Sequence, residues 1–412
     1  MAKQPNWQNN RFENNPRYSA NYRSNQHSNT QHPHASQQST LAKAIQWFRP
    51  VKGDIDYPFL LAVMFLLAFG LVMLFSAGSA RAFSNFGDSL WYFKNQLFQG
   101  VFIGLVAMFV LSKFDYHRLG AFSSLLLLIC LGLLVLVLIP GVGTTRNGAT
   151  RWLFGFQPSE IAKFAIILFY SFSLSKNQDK LSSFTHGFLP YLGLLGVFMV
   201  LLLLEPHMSC ALLIGFTVIL LLFVAGAKWK HFFIIGGPAI AVMGAAVMLE
   251  PYRRARVLSF LDPFSDIQGA GWQIVQSLYA IGSGGVFGTG LGQSRQKYQS
   301  LPEPQNDFIF SVLAEELGLL GAIIMVALFI FLVVRGTKIA LKAPDLFGSL
   351  LVTGIVGIVA IQTILNIAVV TSSMPVTGMP LPFFSFGSTA LSITLAEMGI
   401  VLNVSRQIKN PV

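Results

Sequence analysis

The chain has 412 residues, 53% hydrophobic and only 11% charged, against roughly 25% charged in a water-soluble domain. Apolar runs long enough to cross about 30 Å of hydrocarbon as helices recur after the first fifty residues, which excludes a soluble globule. The net charge of +11 sits in the N-terminal tail and in short loops between apolar runs, so topology accounts for it and no nucleic-acid partner is expected.

The stretch from Met1 to about Thr40 is rich in Asn, Gln, Ser and His and poor in aliphatic residues. It reads as a disordered cytoplasmic tail, residues 1–45, with no cleavable signal peptide before the first span. Trp47, Phe48, Arg49 and Lys52 suggest a short segment at the membrane surface, opening a single polytopic membrane domain over 46–412.

The expected architecture is an all-α integral membrane protein with about ten transmembrane helices. The first five are placed near Tyr57 to Ser79, Tyr92 to Leu111, Gly120 to Ile139, Pro158 to Leu174 and Phe188 to Leu204. Five more follow near Ser209 to Ala225, His231 to Leu249, Asp307 to Val334, Phe347 to Val370 and Phe384 to Val404. Lys113 with Arg118, Lys176 with Lys180, Lys228 with Lys230, Arg335 with Lys338 and Lys342, and Arg406 with Lys409 make one set of loops uniformly basic. The positive-inside rule places those loops, and both termini, in the cytoplasm.

Between helices 7 and 8, residues 250–306 form a Gly/Pro-rich connection carrying Arg253, Arg254 and Arg256, too long for a simple turn. It is assigned as a large extracellular loop, partly folded back against the membrane. The other half has no counterpart, which argues against a transporter built of two equal repeats. Cys130 and Cys210 lie inside apolar runs and read as small buried hydrophobes.

Ionisable groups at membrane depth are expensive and therefore candidates for function. The second outer connection runs Arg146, Asn147, Gly148, Ala149, Thr150, Arg151, Trp152 and leads into Gln157, Pro158, Ser159, Glu160 and Lys163. Glu160 and Lys163, three apart, share a helix face: they form an internal ion pair, or Lys163 with Arg151 presents positive charge to an anionic headgroup. Glu205 and His207 cap a helix end, or ligate a metal for which no third ligand is identifiable. The glycines from Gly284 to Gly292 lack the Gly-Lys-Ser/Thr ending of a phosphate loop and read as closely packed backbone.

Asp307 is the sharpest single residue, since a proline-bounded segment delivers its carboxylate to the mouth of an apolar helix, as a general base or as a helix N-terminal charge. Glu315, about eight residues on, falls near the same helix face, and Glu315 or Glu316 is expected to meet a buried cation. The stretch from Pro375 to Ser388 forms a proline-rich outer turn, a tight loop or a set of backbone donors for a phosphate.

Taken together, Gly148 to Trp152 with Gln157 to Glu160, Gly290 to Lys297 with Leu301 to Phe310, and Ala314 to Gly318 resemble the SEDS family (shape, elongation, division and sporulation) of peptidoglycan glycosyltransferases, from about Asp56 to the C-terminus. The stretches at Gly290 and Leu301 look more like the division and sporulation branch than the elongation branch. Two departures stand out: Pro206-His207-Met208-Ser209 replaces a usual Pro-Asp-Leu-Gly, and Ser385-Phe386-Gly387-Ser388 replaces Ser-Tyr-Gly-Gly.

The resemblance implies polymerisation of lipid II, a disaccharide-pentapeptide on undecaprenyl pyrophosphate, at the division septum of the bacterial cytoplasmic membrane. It implies a class B penicillin-binding transpeptidase and other division proteins as partners. It maps the family's essential extracellular aspartate onto Asp307, and draws Lys163, Arg151, Arg253, Glu160, Trp152, Glu315 and Ser388 into the substrate site. A divalent cation, Mg or Mn, could share the neutralisation of pyrophosphate, although the sequence defines no metal site. Two other readings stay open: a flippase for the lipid-linked precursor, and a non-enzymatic division scaffold.

Overall fold

A computed structural model describes residues 51–408 apart from 147–148, 154, 250–253, 255–259, 266, 270 and 300. The expected tail, the surface segment around Trp47 and the arginines Arg253 and Arg256 lie outside the described residues.

The first helix, α1 (Tyr57–Phe86), starts where extended Asp56 accepts a hydrogen bond from the backbone N–H of Phe59 at 2.9 Å, with Pro58 in the first turn. It runs past the expected end at Ser79, because Arg81 stays helical and pairs with Glu303 at 2.9 Å. α2 (Trp91–Lys113) is interrupted by a wider π-turned stretch over Gln96–Phe102. α3 (Tyr116–Val137) is capped by Asp115. Then come β1 (Thr144–Arg146) and β2 (Ala149–Trp152), an antiparallel hairpin. This small hairpin is a local addition to the expected all-α fold: Thr and Trp on either side of an Asn147-Gly148 dipeptide are a hairpin signal.

The helices continue with α4 (Pro158–Lys176), α5 (Leu189–Leu204), α6 (Met208–Val224), α7 (Trp229–Leu249), α8 (Trp272–Gly284) within the long loop, α9 (Ile309–Lys342), α10 (Leu346–Val370) and α11 (Ser388–Arg406). Among the described residues, seven helices are long and apolar enough to cross a membrane: α1, α2, α3, α5 with the turn before it, α9, α10 and α11. The other three expected spans correspond in position to the helices α4, α6 and α7, which fall outside that set. α6 is shorter, with 17 residues, and α4 carries Glu160 and Lys163 in its first two turns.

Two expected starts are corrected. α9 begins at Ile309, so Asp307 lies in the preceding turn and the argument that it shares a helix face with Glu315 does not apply. α11 begins at Ser388 instead of Phe384, because Phe383 is left-handed (φ 66°) and the Ser385 hydroxyl accepts from Leu381 N–H at 2.8 Å while donating to the Asn306 carbonyl at 2.6 Å. Hydroxyls that bond locally to backbone in this way compete with helix formation.

The basic loops meet at one end of the bundle. Val51 N–H donates to the Lys113 carbonyl, Arg406 to the Gly53 carbonyl at 2.8 Å, Gln178 to the Ala225 carbonyl at 3.3 Å, and Tyr116 to Asp345. At that end Arg335 also pairs with buried Asp56 at 2.9 Å. By the positive-inside rule this is the cytoplasmic end. Two apolar cores stand side by side: Phe59, Leu66, Met73, Phe329 and Phe384 centre one, and Cys130, Tyr170, Phe198 and Cys210 the other. Both cysteines are buried and free, as expected.

Asp56→Ala removes the α1 cap and one ion-pair contact of Arg335, so it is expected to lower stability by about 1–2 kcal/mol. Thermal unfolding in detergent would register this as a fall in Tm.

Candidate active site

At the end opposite the basic loops, the turn holding Asp307 is fixed through its backbone. Asn366, buried on α10, donates from one amide nitrogen to two carbonyls, that of Asp307 at 2.8 Å and that of Met379 at 2.6 Å. One residue earlier, the Asn306 carbonyl takes the Ser385 hydroxyl, and the Gln305 carbonyl takes Phe386 N–H at 2.8 Å. Gln96 in the widened part of α2 completes the clamp, donating to the Ser385 carbonyl at 3.2 Å and accepting from Gly387 N–H at 3.1 Å. The Asp307 side chain is half-buried, and a Cβ on Gly378 would stand 3.3 Å from its Oδ2. The proline-rich segment 375–388 is thus a wall against which the acidic turn is pinned. Glu303 anchors the same turn from below, accepting from Arg81, from Gln305 at 2.9 Å and from Asn306 at 2.9 Å.

One turn along α10 from Asn366, Gln362 donates to the Pro380 carbonyl at 2.7 Å. It also lines a small cavity of about 10 Å³, with Glu160, Lys163, Pro382, Thr394 and Glu397. Lys163 and Glu160 form the expected ion pair at 2.8 Å, and both are buried. Asn366 and Gln362, spaced i and i+4 on one helix face, therefore connect the acidic turn to a buried charged cavity through the carbonyls of residues 379 and 380.

Arg151, at the end of the hairpin, donates from Nε to the Glu205 carbonyl at 3.2 Å and from Nη2 to the Pro206 carbonyl. It holds the α5–α6 corner, where Pro206 has φ 30°. His207 there is buried, and burial together with the charges of Arg151 and Lys163 pushes it down to about 3, so it stays neutral. Both Glu205 carboxylate oxygens are buried without a hydrogen-bond partner among the described residues. Burial pushes the Glu205 carboxyl up to about 7, opposed in part by Arg151.

That raised value reverses the usual carboxylate sign. The folded state holds the proton more tightly than the unfolded chain, so stability falls as pH rises from the ordinary value of 4.5 to about 7. Glu205→Gln is expected to raise Tm at pH 8 and to change it less at pH 5. Thermal unfolding at the two pH values measures the difference.

The other expected site residues are distributed as follows. Glu315 and Glu316 are fully buried, and both hold the loop 285–297. Glu315 accepts from the Ser294 hydroxyl at 2.6 Å and from Arg295 N–H at 2.8 Å. Glu316 takes Lys297 at 2.6 Å, the expected buried cation, and the Ser76 hydroxyl. α9 breaks at Gly318 (φ 67°, ψ −165°), where a Cβ would collide with the backbone of Val286 and Gly288. The loop is thereby tucked into the broken helix. Ser388 turns away from the cavity and donates to the Asn95 carbonyl of α2 at 3.3 Å. Trp152 ends β2, next to Arg151. Arg253 lies outside the described residues. Among the described residues no three His, Cys, Asp or Glu side chains cluster as a metal site.

Sequence reasoning missed Gln362, Asn366 and Glu397. The signal was present: each is a polar residue inside an apolar run, and such residues face the bundle interior. Lys297 was hidden because it lies in a polar loop and not in a span.

Fold and site define a multi-span membrane protein whose outer end brings an acidic turn beside a buried charged cavity lined by Lys163, Glu160 and Glu397. The sequence profile of the cell cycle protein family FtsW/RodA/SpoVE matches residues 57–410. The chain belongs to that family, the one the motifs resemble. It is 45% identical over 360 residues to stage V sporulation protein E of Bacillus subtilis, covering 86% of this chain and 98% of that one. It is 42% identical over 360 residues to a probable peptidoglycan glycosyltransferase FtsW of Geobacter sulfurreducens, covering 86% and 96%. Among solved structures, a chain of a peptidoglycan synthase complex that coordinates polymerization and crosslinking superposes with TM-score 0.72 at 32% identity, covering 86% of this chain and 99% of that one. Rod shape determining protein RodA of Thermus thermophilus gives TM-score 0.61 at 30% identity, covering 86% and 98%.

Proposed function

We propose that this protein polymerises peptidoglycan glycan strands from lipid II at the division septum. The observation that carries this reading is the Asp307 carboxylate, held by a backbone clamp at the outer end and joined by the Asn366–Gln362 ladder to the Lys163 cavity. Asp307 takes the proton of the acceptor sugar's 4-hydroxyl as that oxygen attacks the donor's anomeric carbon. The bond from that carbon to the pyrophosphate oxygen breaks, the configuration inverts, and a β-1,4 bond forms. Undecaprenyl pyrophosphate leaves with the bonding electron pair, and Lys163, Arg151 and Arg253 supply positive charge for it, in that order of weight.

Glu160 sets the position of the Lys163 ammonium. Trp152 acts beside Arg151 at the end of the hairpin, Ser388 acts through the α2 contact that sets the start of α11, and Glu315 acts through the loop it holds. Mg or Mn would add to this charge when bound to pyrophosphate; the cations named belong to the chain itself. The partner in this reading is a single-pass class B penicillin-binding transpeptidase, with other division proteins around it.

The test supplies lipid II to the purified protein with and without that transpeptidase and resolves products by length. Glycan polymer dependent on Asp307 supports the reading. Transfer of labelled lipid between leaflets with no new glycosidic bond would replace it with the flippase, and full activity after every intramembrane charge substitution would leave a scaffold.

A further inference from the structure

At the cytoplasmic end, far from the acidic turn, a cleft of about 280 Å³ opens between α4 and α5. Phe169, Pro190 and Leu194 supply apolar walls, and Ser173, Asn177, Lys180 and His186 supply polar groups. We propose that this cleft binds the phosphodiester headgroup of an anionic phospholipid from the cytoplasmic leaflet.

Three observations carry the assignment. The first is charge. Lys180 Nζ donates to Asn177 Oδ1 at 2.9 Å, and among the described residues no carboxylate comes within ion-pair distance of it. His186 Nδ1 sits 3.0 Å from the Thr185 hydroxyl, which leaves Nε2 for a ligand. Asn177, whose own amide nitrogen donates to the Ser173 carbonyl at 3.0 Å, holds the Lys180 ammonium beside the imidazole, and the two together match the acceptor oxygens of a phosphate.

The second is construction. The Tyr170 hydroxyl donates to the Tyr191 carbonyl at 2.6 Å, and the Tyr191 hydroxyl meets Ser173 Oγ at 2.8 Å, so the floor is fixed to both helices. The rim is a π-turn over Phe184–Phe188, closed by Gly187 and Phe188 N–H groups donating to the Ser183 carbonyl at 3.2 and 3.1 Å. Gly187 is needed there, because a Cβ would run into the Lys180 carbonyl. Single π-turns recur at functional sites.

The third is placement. α5 exposes Leu189, Val197 and Val200 along its length, so this is a lipid-facing side of the bundle, and the loop stands at the level where anionic headgroups of the cytoplasmic leaflet collect. A free phosphate would use the polar groups alone. A glycerophospholipid uses the apolar walls as well, and the cleft is several times the roughly 30 Å³ share of one water.

The experiment titrates the full-length protein in mixed micelles with phosphatidylglycerol, with phosphatidylcholine, and with inorganic phosphate, reading Tm and lipid retention by native mass spectrometry. Lys180→Gln with His186→Gln is compared with Lys338→Gln and Lys342→Gln, two surface changes in the last turns of α9 at the same end. Phosphatidylglycerol is expected to raise Tm of the unaltered chain and of the second variant alike. In the first variant the apparent affinity falls about fivefold or more, with one fewer lipid retained. The proposal is overturned if the first variant keeps the full affinity, if phosphatidylcholine stabilises equally, or if inorganic phosphate alone reproduces the effect. It is also overturned if an acidic peptide displaces the lipid at stoichiometric concentration, which would make the cleft a protein-docking site.

Discussion

Asp307→Asn is expected to lower lipid II polymerisation by about 10²–10⁴-fold, the span over which positioned general bases act, with little change in stability. The substitution keeps the shape of the side chain while removing its negative charge and its capacity to take a proton and turning one acceptor oxygen into a donor. The fold does not depend on that capacity: Asn366 grips the backbone carbonyl of Asp307, and Ser385 and Phe386 grip the two residues before it. Initial rates of polymer formation, alongside Tm, separate the two effects. Asp307→Glu serves as the companion, because it retains the base but pushes it one methylene further against Gly378, whose Cβ position lies 3.3 Å from Oδ2. Partial activity in the glutamate variant and almost none in the asparagine variant is the expected ranking. Equal polymer from the asparagine variant and the unaltered chain would end the assignment.

The second large effect concerns Lys163, and it splits into stability and chemistry. Lys163→Met leaves Glu160 buried without its 2.8 Å partner and close to Glu397. Removing one partner of a buried pair costs about 3–5 kcal/mol, so Tm falls. The double change Glu160→Gln with Lys163→Met removes the stranded charge and is expected to recover most of that loss. Turnover should not recover, because charge for the departing pyrophosphate is worth about 10²–10³ in rate when a single donor is lost from such a site. A double variant that regained both Tm and turnover would reduce Lys163 to a structural ion.

Most of the fold was legible because lipid imposes one rule, the long apolar helix, and the sequence keeps to it from Tyr57 onward. What escaped was backbone bent by tertiary contacts. The late start of α11 depends on the Ser385 hydroxyl bonding to the carbonyl of Asn306, 79 positions away, and the break at Gly318 depends on a loop that enters from α8. Neither partner is local, so no periodicity announces it. The candidate site was legible at its charged ends, Asp307 and Lys163, where ionisable groups interrupt apolar surroundings. The amides between them were not, since Asn366 and Gln362 acquire meaning only when the carbonyls of residues 379 and 380 arrive beside α10.

The buried pair of Glu316 and Lys297 has a consequence for biosynthesis. Lys297 precedes Glu316 in the chain by 19 residues; in the topology that the positive-inside rule predicts, the cation is carried across ahead of the two adjacent acids near the head of α9. An emerging helix that carries its own acids into lipid can neutralise them at once against a segment synthesised moments earlier. If assembly of the outer surface follows the order of translation, a circular permutant that delivers α9 before this loop is expected to insert poorly although its finished contacts are the same.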